Sequence, residues 1–488
     1  MTRALFILFF VAAAGAAEPI RLLQANPRYF LFRGKPTVLV TSGEHYGAVL
    51  NTAFDYERYL ETLAADGLNL TRLFSGAYVE KPGAFGIVHN VLAPKREDYL
   101  PPWPRSGQSG ALDGLNKFDL DRFNPAYFER LKAFLRSASE KGIVVELVLF
   151  SSIYDENNWA MMPFHPQNNI NGTECAEFRR IHTLDNGGLL PYQESMVRRI
   201  VREVNEYDNL YFEIQNEPWS DRPDSAGVIL EHLTDDVFVP AGARWQNRLD
   251  LADEASLAWQ KHIAEIIVDE ESRLPNRHLI AQNYVNFFYP LNRVEPEISI
   301  LNFHYALPQA ALLNAGWKRP LSFDESGFAG PEPDVYRRQA WRFLLSGGAV
   351  FNGLDYSFYP DFEDGSGEIS GPGGGGPLLR RQLAVLRRFL ERFDLGALQP
   401  DLTTVQHAPG LVPYLLSDIG KQYAGWFEGR GAGIVALRLP KGSYLIQWLE
   451  PRTGELLRRE RVSSNGRVAV PLRLPAYNGE IALDLRHN

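Results

Sequence analysis

Asn209-Leu210-Tyr211-Phe212-Glu213-Ile214-Gln215 runs straight into Asn216-Glu217-Pro218-Trp219 near the middle of this chain. An apolar and aromatic run of this length, broken by proline, reads as a buried strand that ends at a carboxylate. A charged group in that setting is costly to desolvate, so it has either a partner or a chemical task. A second carboxylate stands in the same setting in Pro320-Leu321-Ser322-Phe323-Asp324-Glu325-Ser326-Gly327.

Outward from these two stretches, short apolar runs alternate with amphipathic helical patterns. Strands are expected over 37–42, 68–74, 143–150, 210–214, 279–282, 298–303, 321–323 and 349–351. They are near-continuously apolar, as in a parallel sheet covered on both faces. Helices are expected over 55–66, 191–204, 252–274, 334–345 and 378–393, with a further one opened by Asn124-Pro125 and closed by Gly142. Asparagine at the N-cap, proline at the first position and glycine past the end each meet a local backbone need. The connection 283–297 is short and rich in proline and aromatics, so an irregular or very short helix is expected there. Eight such units predict an α/β (β/α)8 TIM barrel. An open nucleotide-binding sheet would carry a glycine-rich loop after its first strand, where this chain has Ser42-Gly43-Glu44-His45-Tyr46. The glycine run 371–376 lacks the Lys-Ser/Thr pair of a phosphate loop and reads as a rim loop.

After residue 395 the pattern changes. Runs at 433–437, 444–448 and 467–470 alternate with turn signals such as Pro440-Lys441-Gly442 and Ser464-Asn465-Gly466. This predicts a small C-terminal antiparallel β-sandwich over 396–488. At the other end, Arg3 precedes the apolar stretch 4–12 and small residues up to Ala17. That is the order of a secretory signal peptide over 1–17, which leaves 18–395 for the barrel and implies a secreted or periplasmic protein. No later segment is long and apolar enough to span a membrane. The net charge of −9 and pI near 5.7 argue against nucleic acid or an anionic membrane as partner. A single cysteine, Cys175, allows no internal disulfide, and nothing around it resembles a thiol-protease signature.

In a barrel of this kind the working groups lie at the C-terminal ends of the strands. Strand one offers Glu44, His45 and Tyr46, strand two Arg72, strand four Asn216 and Glu217 with Trp219 beyond. Strand six offers His304 and Tyr305, strand seven Glu325, and strand eight Asp355 and Tyr356. Strands four and seven face each other across the mouth, so Glu217 and Glu325 are expected to meet. Alternation along a strand sends Asp324 and Glu325 to opposite sides, so only one is expected to face the mouth. Two carboxyl groups about 5–5.5 Å apart support glycosidic cleavage with retention, one as acid and then base, the other as nucleophile. The acid needs a raised pKa; the nucleophile must stay ionised, with Arg72 and Tyr305 as candidates for holding it so. The histidines form no close metal-ligand pair, so no metal or other cofactor is expected, and there is no Gly-x-Ser-x-Gly elbow.

Asn216-Glu217-Pro218 resembles the strand-four motif of the clan A retaining glycoside hydrolases, the cellulase-like (β/α)8 enzymes. The resemblance covers about residues 25–395 and implies a carbohydrate substrate. It implies Glu217 as acid/base, Asn216 as a ligand of the sugar 2-hydroxyl, and Glu325 as nucleophile. Arg72 and the His304-Tyr305 pair match the strand-two arginine and strand-six pair of that clan. Trp448-Leu449-Glu450-Pro451-Arg452-Thr453-Gly454 resembles a segment in the C-terminal β domain of apiosidase-like secreted bacterial proteins. Two departures stand out: Leu149-Phe150-Ser151 where many members carry histidine after strand three, and Leu354-Asp355-Tyr356 where many carry a tryptophan platform. A transglycosylase using the same residues, or a non-catalytic carbohydrate-binding or adhesion protein on a retained barrel, is the alternative reading.

Overall fold

The computed structural model describes residues 18–229, 248–431 and 433–488, and the signal peptide expected over 1–17 lies outside them. Eight parallel strands form a nearly closed barrel: β1 (Leu39–Gly43), β2 (Leu70–Phe74), β3 (Val144–Ser151), β4 (Leu210–Asn216), β5 (Ile280–Asn286), β6 (Ile300–His304), β7 (Leu321–Ser326) and β8 (Val350–Leu354). Every residue in them is buried, which is why their sequences are almost continuously apolar. Neighbours follow chain order from β2 to β8, and β8 pairs with β1. At the β1–β2 seam a side chain does the work of a ladder. Asn69 accepts from the Val40 N–H at 2.9 Å and donates to the Val38 carbonyl at 2.9 Å.

Helices α1 (Tyr56–Ala65), α2 (Pro125–Glu140), α3 (Leu190–Val204), α4 (Glu254–Glu271), α5 (Pro308–Asn314), α6 (Pro333–Leu344) and α7 (Gly376–Leu390) pack outside the strands. Asp55 caps α1 and Asn124 caps α2 through their side-chain oxygens. No helix occupies the β5–β6 connection, in line with its proline content. Not anticipated is an antiparallel pair after β4, Pro223–Ile229 with Arg248–Ala252, whose second strand joins β5 at Leu251↔Val285. β5 also runs four residues beyond the expected end, to Asn286.

Beyond the barrel, a six-stranded antiparallel sheet faces a three-stranded one. The strand Gln422–Gly429 shows why it binds the barrel. Tyr423 and Phe427 enter the core between the two sheets, whereas Ala424 and Trp426 enter the barrel's core. Trp426 stacks on Trp341 of α6 with ring centroids 6.1 Å apart. Arg342 of α6 also pairs with Glu428 through two hydrogen bonds of 2.8 Å. The strand expected at 467–470 is displaced to Val470–Arg473, because Asn465 accepts from the Arg467 and Val468 N–H groups and turns the chain there. Among the described residues no helix is long and apolar enough to cross a membrane.

Candidate active site

A cavity of about 680 Å³ opens at the C-terminal ends of the barrel strands. Of the residues singled out from sequence, His45, Tyr46, Asn216, Glu217, Trp219, Tyr305 and Glu325 line it. Three of them, Tyr46 (φ 56°), Glu217 (φ 48°) and Tyr305 (φ 50°), have left-handed backbones that non-glycine residues adopt at a cost. The surroundings hold Glu217 there: its carbonyl accepts from the Ser152 hydroxyl at 2.5 Å and the Ser220 N–H at 2.8 Å.

The two glutamates meet. One oxygen of Glu217, one of Glu325 and a ring nitrogen of His304 all lie within 4.8 Å of one another. The Tyr305 hydroxyl lies 2.8 Å from Glu325 Oε1 and 3.3 Å from Glu217 Oε1, bridging the pair. Glu325 Oε2 accepts from the Tyr46 hydroxyl at 3.1 Å and from Arg72 at 3.3 Å. Glu217 Oε1 is 3.0 Å from His304 Nδ1, while Oε2 accepts from the Tyr154 hydroxyl at 2.8 Å and the Ser220 hydroxyl at 3.2 Å. Trp219 stands edge-on to the His304 ring, with centroids 5.4 Å apart.

A second layer of charge lies beneath. Arg72 is fully buried and grips Glu213 through two hydrogen bonds, 2.8 and 2.7 Å. It also donates to Asn216 Oδ1 at 2.8 Å and lies 3.3 Å from Asp324. His304, likewise sealed from solvent, spans the two layers, with Nε2 3.3 Å from Asp324 Oδ2. Asp324 is therefore not turned to the far side of β7. The β6–β7 register pairs Phe303 with Phe323 and then His304 with Glu325, so Asp324 is the extra residue of a bulge. The bulge breaks strict alternation and points both carboxylates into the barrel, one in the cavity and one in the floor.

These partners set the protonation states. Burial alone lowers the affinity of His304 for a proton, but the charges of Glu325, Asp324 and Glu217 override it and raise its pKa to about 10. Burial pushes Glu217 up, yet His304, Tyr154 and Ser220 together hold it below the usual carboxylate range. An acid with a raised pKa is expected from the sequence; here the carboxyl of Glu217 is held low and the neighbouring His304 is the group that is raised. Asp324 is held low against its burial, chiefly by Arg72 and His304. Burial pushes Glu213 up to about 7 against the pull of Arg72. Glu146 is raised well above the ordinary value by burial and by its negative neighbours Asp324 and Glu213.

The remaining predicted residues stand elsewhere. Glu44 turns back to accept the Gly47 and Ala48 N–H groups at 2.9 and 3.2 Å, and burial raises its pKa to about 7. Asp355 pairs with Arg380 at 2.7 Å and caps Gly376 at the start of α7. Tyr356 is buried in the wall against Gly371 and Gly373. Several cavity residues escaped the sequence reading. Tyr154 donates to Glu217 and accepts from Asn216, and only its position just past β3 signalled it. Glu80, from the long β2–α2 connection, lines the cavity and bonds His45, Tyr78 and Asn90. Asp250 and Asn286 enter through the unanticipated hairpin and the longer β5.

Among the described residues, two clusters, Glu217–His304–Glu325 and Glu146–Glu213–Asp324, are compact enough to surround a cation. Side chains of the protein itself already address them. Arg72 lies among Glu213, Asp324 and Glu325, and both ring nitrogens of His304 address carboxylates.

A family model described as a domain of unknown function (DUF6298) matches residues 90–181, which take in the later part of the β2–α2 connection, α2, β3 and most of the loop that follows. No curated protein sequence matches the chain. Among solved structures, a protein of Bacteroides vulgatus ATCC 8482 described as a candidate glycoside hydrolase superposes with a TM-score of 0.61 at 15% identity, covering 97% of this chain and 83% of its own. A glycoside hydrolase family 5 protein from the same organism gives 0.60 at 11% identity, covering 96% and 93%. A further glycoside hydrolase gives 0.59 at 9% identity, covering 96% and 97%. The chain thus shares with these glycoside hydrolases one architecture over nearly its whole length, a parallel eight-stranded barrel with a C-terminal antiparallel β region.

Proposed function

We propose that this protein is an exported glycoside hydrolase that cleaves O-glycosidic bonds of oligo- or polysaccharides with retention, by double displacement. The observation that carries this reading is the closeness of Glu217 and Glu325 on the wall of one cavity, with oxygens within 4.8 Å. At that range no water fits between a sugar and the second carboxylate, which favours direct attack on the anomeric carbon over an inverting route. Glu325 is the nucleophile, since Arg72, Tyr46 and Tyr305 direct positive charge or hydroxyl protons at both its oxygens. Glu217 protonates the leaving oxygen and then activates water. Asn216, beside it, addresses the sugar 2-hydroxyl. The export part of the proposal rests on the N-terminal sequence.

Screening 4-nitrophenyl glycosides and plant polysaccharides, with the product anomer followed by NMR, tests the proposal. The expected first product keeps the anomeric configuration of the substrate, and Glu325→Gln turns nothing over. An inverted product, or a Glu325→Gln variant as active as the parent, overturns it.

A further inference from the structure

Beneath the catalytic pair, one unbroken line of polar atoms joins three strands: Asp324 Oδ2 to His304 Nε2 at 3.3 Å, and His304 Nδ1 to Glu217 Oε1 at 3.0 Å. Both ends of the imidazole therefore face a carboxylate, and the ring itself is inaccessible to solvent. A neutral imidazole carries one N–H and satisfies only one of two acceptors; the imidazolium satisfies both. Below Asp324, an oxygen of its carboxyl group and one of Glu146 lie within 4.8 Å of each other, and burial together with its negative neighbours raises the Glu146 pKa well above the ordinary value, so Glu146 keeps a proton. With Glu146 carrying that proton, Asp324 remains the charged partner of His304.

We infer that His304 stores the proton that Glu217 delivers to the leaving group, and that Asp324 is the positioning residue that keeps it there. This rests on the glycoside hydrolase reading of the site. On sugar binding, the Nδ1–H bond breaks and an O–H bond forms at Glu217 Oε1, while the ring keeps its Nε2–H toward Asp324. Glu217 then passes the proton to the glycosidic oxygen as the C–O bond breaks and Glu325 forms its ester. In the second half, Glu217 takes a proton from the attacking water as Glu325 is released, and returns it to His304 Nδ1.

The charge balance supports this sequence. In the free protein the two ionised glutamates and the imidazolium carry one net negative charge. In the glycosyl-enzyme Glu325 is an ester, Glu217 is ionised and His304 is neutral, which is again one negative charge. The cluster never has to bury an additional charge, which would be costly in a site this enclosed. Esterification also removes the Glu325 charge, the foremost of the attractions that keep the proton on His304. The groups facing the chain are Glu217 from β4, Glu325 and Tyr305 from the cavity, and Arg72, Glu213, Asn283 and Glu146 around Asp324.

Ring-nitrogen NMR of protein labelled with 15N-histidine tests the inference, with His304 assigned by loss of its signals in His304→Gln. Both His304 nitrogens are expected to be protonated at neutral pH in the wild type. In Asp324→Asn the midpoint of its deprotonation is expected to fall by about 1–3 pH units. A neutral His304 at pH 7 in the wild type, or an unmoved midpoint, overturns the inference. Should Asp324→Asn fail to fold, Glu325→Gln imitates the charge lost on esterification and is read in the same way; an unmoved midpoint there is equally fatal. In kinetics, Asp324→Asn is expected to slow aryl glycosides with poor leaving groups at least about tenfold more than dinitrophenyl glycosides, which need little acid assistance. An equal loss on both indicates a purely structural Asp324 and also overturns it. If the wild type hydrolyses no glycoside, the hydrolase reading fails, while the NMR titration still decides the protonation of His304.

Discussion

Strands β4 and β7 each contribute two carboxylates to the barrel interior, and the pairs have opposite fates. Glu213 and Asp324 lie in the floor, fully buried and gripped by Arg72; Glu217 and Glu325 lie on the wall of the open cavity. All four are carboxylates. What separates chemistry from structure is one layer of the barrel and the register that assigns each side chain to it. The floor pins positive charge under the mouth: Arg72 reaches Glu325 at 3.3 Å, and His304 helps hold Glu217 below the usual carboxylate range.

The strongest way to break the comparison is to exchange the layers' roles by substitution. Glu325→Gln is expected to abolish turnover of activated aryl glycosides, whereas Glu213→Gln, which keeps a neutral partner for Arg72, leaves measurable activity. Next, Glu217→Gln is expected to cost about 10²–10⁴-fold on poor leaving groups and far less on activated ones. External azide should partly restore the activated reaction by replacing the base-assisted water. A floor charge acts on stability instead: Arg72→Met leaves Glu213 without its cation and Asp324 with His304 alone, and should cost about 3–5 kcal/mol in denaturant titration. A variant as stable as the parent shows that the floor is not held by that ion network.

Two smaller effects sharpen the contrast. Tyr154→Phe removes a donor from Glu217, so the carboxyl should titrate higher and the pH profile of kcat/KM move to the basic side. The expected loss is that of one hydrogen bond to a charge, about 1.5–3 kcal/mol in transition-state stabilisation. The pH dependence of stability carries a further signature. His304 binds its proton more tightly folded (about 10) than in an open chain (6.5). Its contribution is therefore complete below about pH 6.5 and disappears as pH rises through about 10. Thermal unfolding scanned over that window should decline in the wild type and decline earlier in Asp324→Asn.

Much of this was legible along the chain, for local reasons. The eight strands stand out because parallel strands buried on both faces need apolar residues at nearly every position, and helix caps such as Asn124 carry their own signature. Glu217 and Glu325 stand out as charges at the ends of such strands. Tyr154, Glu80 and Asp250 do not, because they sit in long connections whose course is set by contacts distant in sequence. Glu44 and Asp355 mark the converse. A polar residue at a strand end can equally cap a turn, as Glu44 does for Gly47 and Ala48.

Sequence by itself determined the barrel, the C-terminal β region and the two glutamates, since periodicity and the cost of burying charge act residue by residue. Only the tertiary structure decided which carboxylates share a layer. The bulge at Asp324 that puts two neighbours on one side, the left-handed turn at Glu217 and the buried arginine beneath both arise from pairing between strands. No single strand's pattern records that pairing, and the protonation state of the site depends on it.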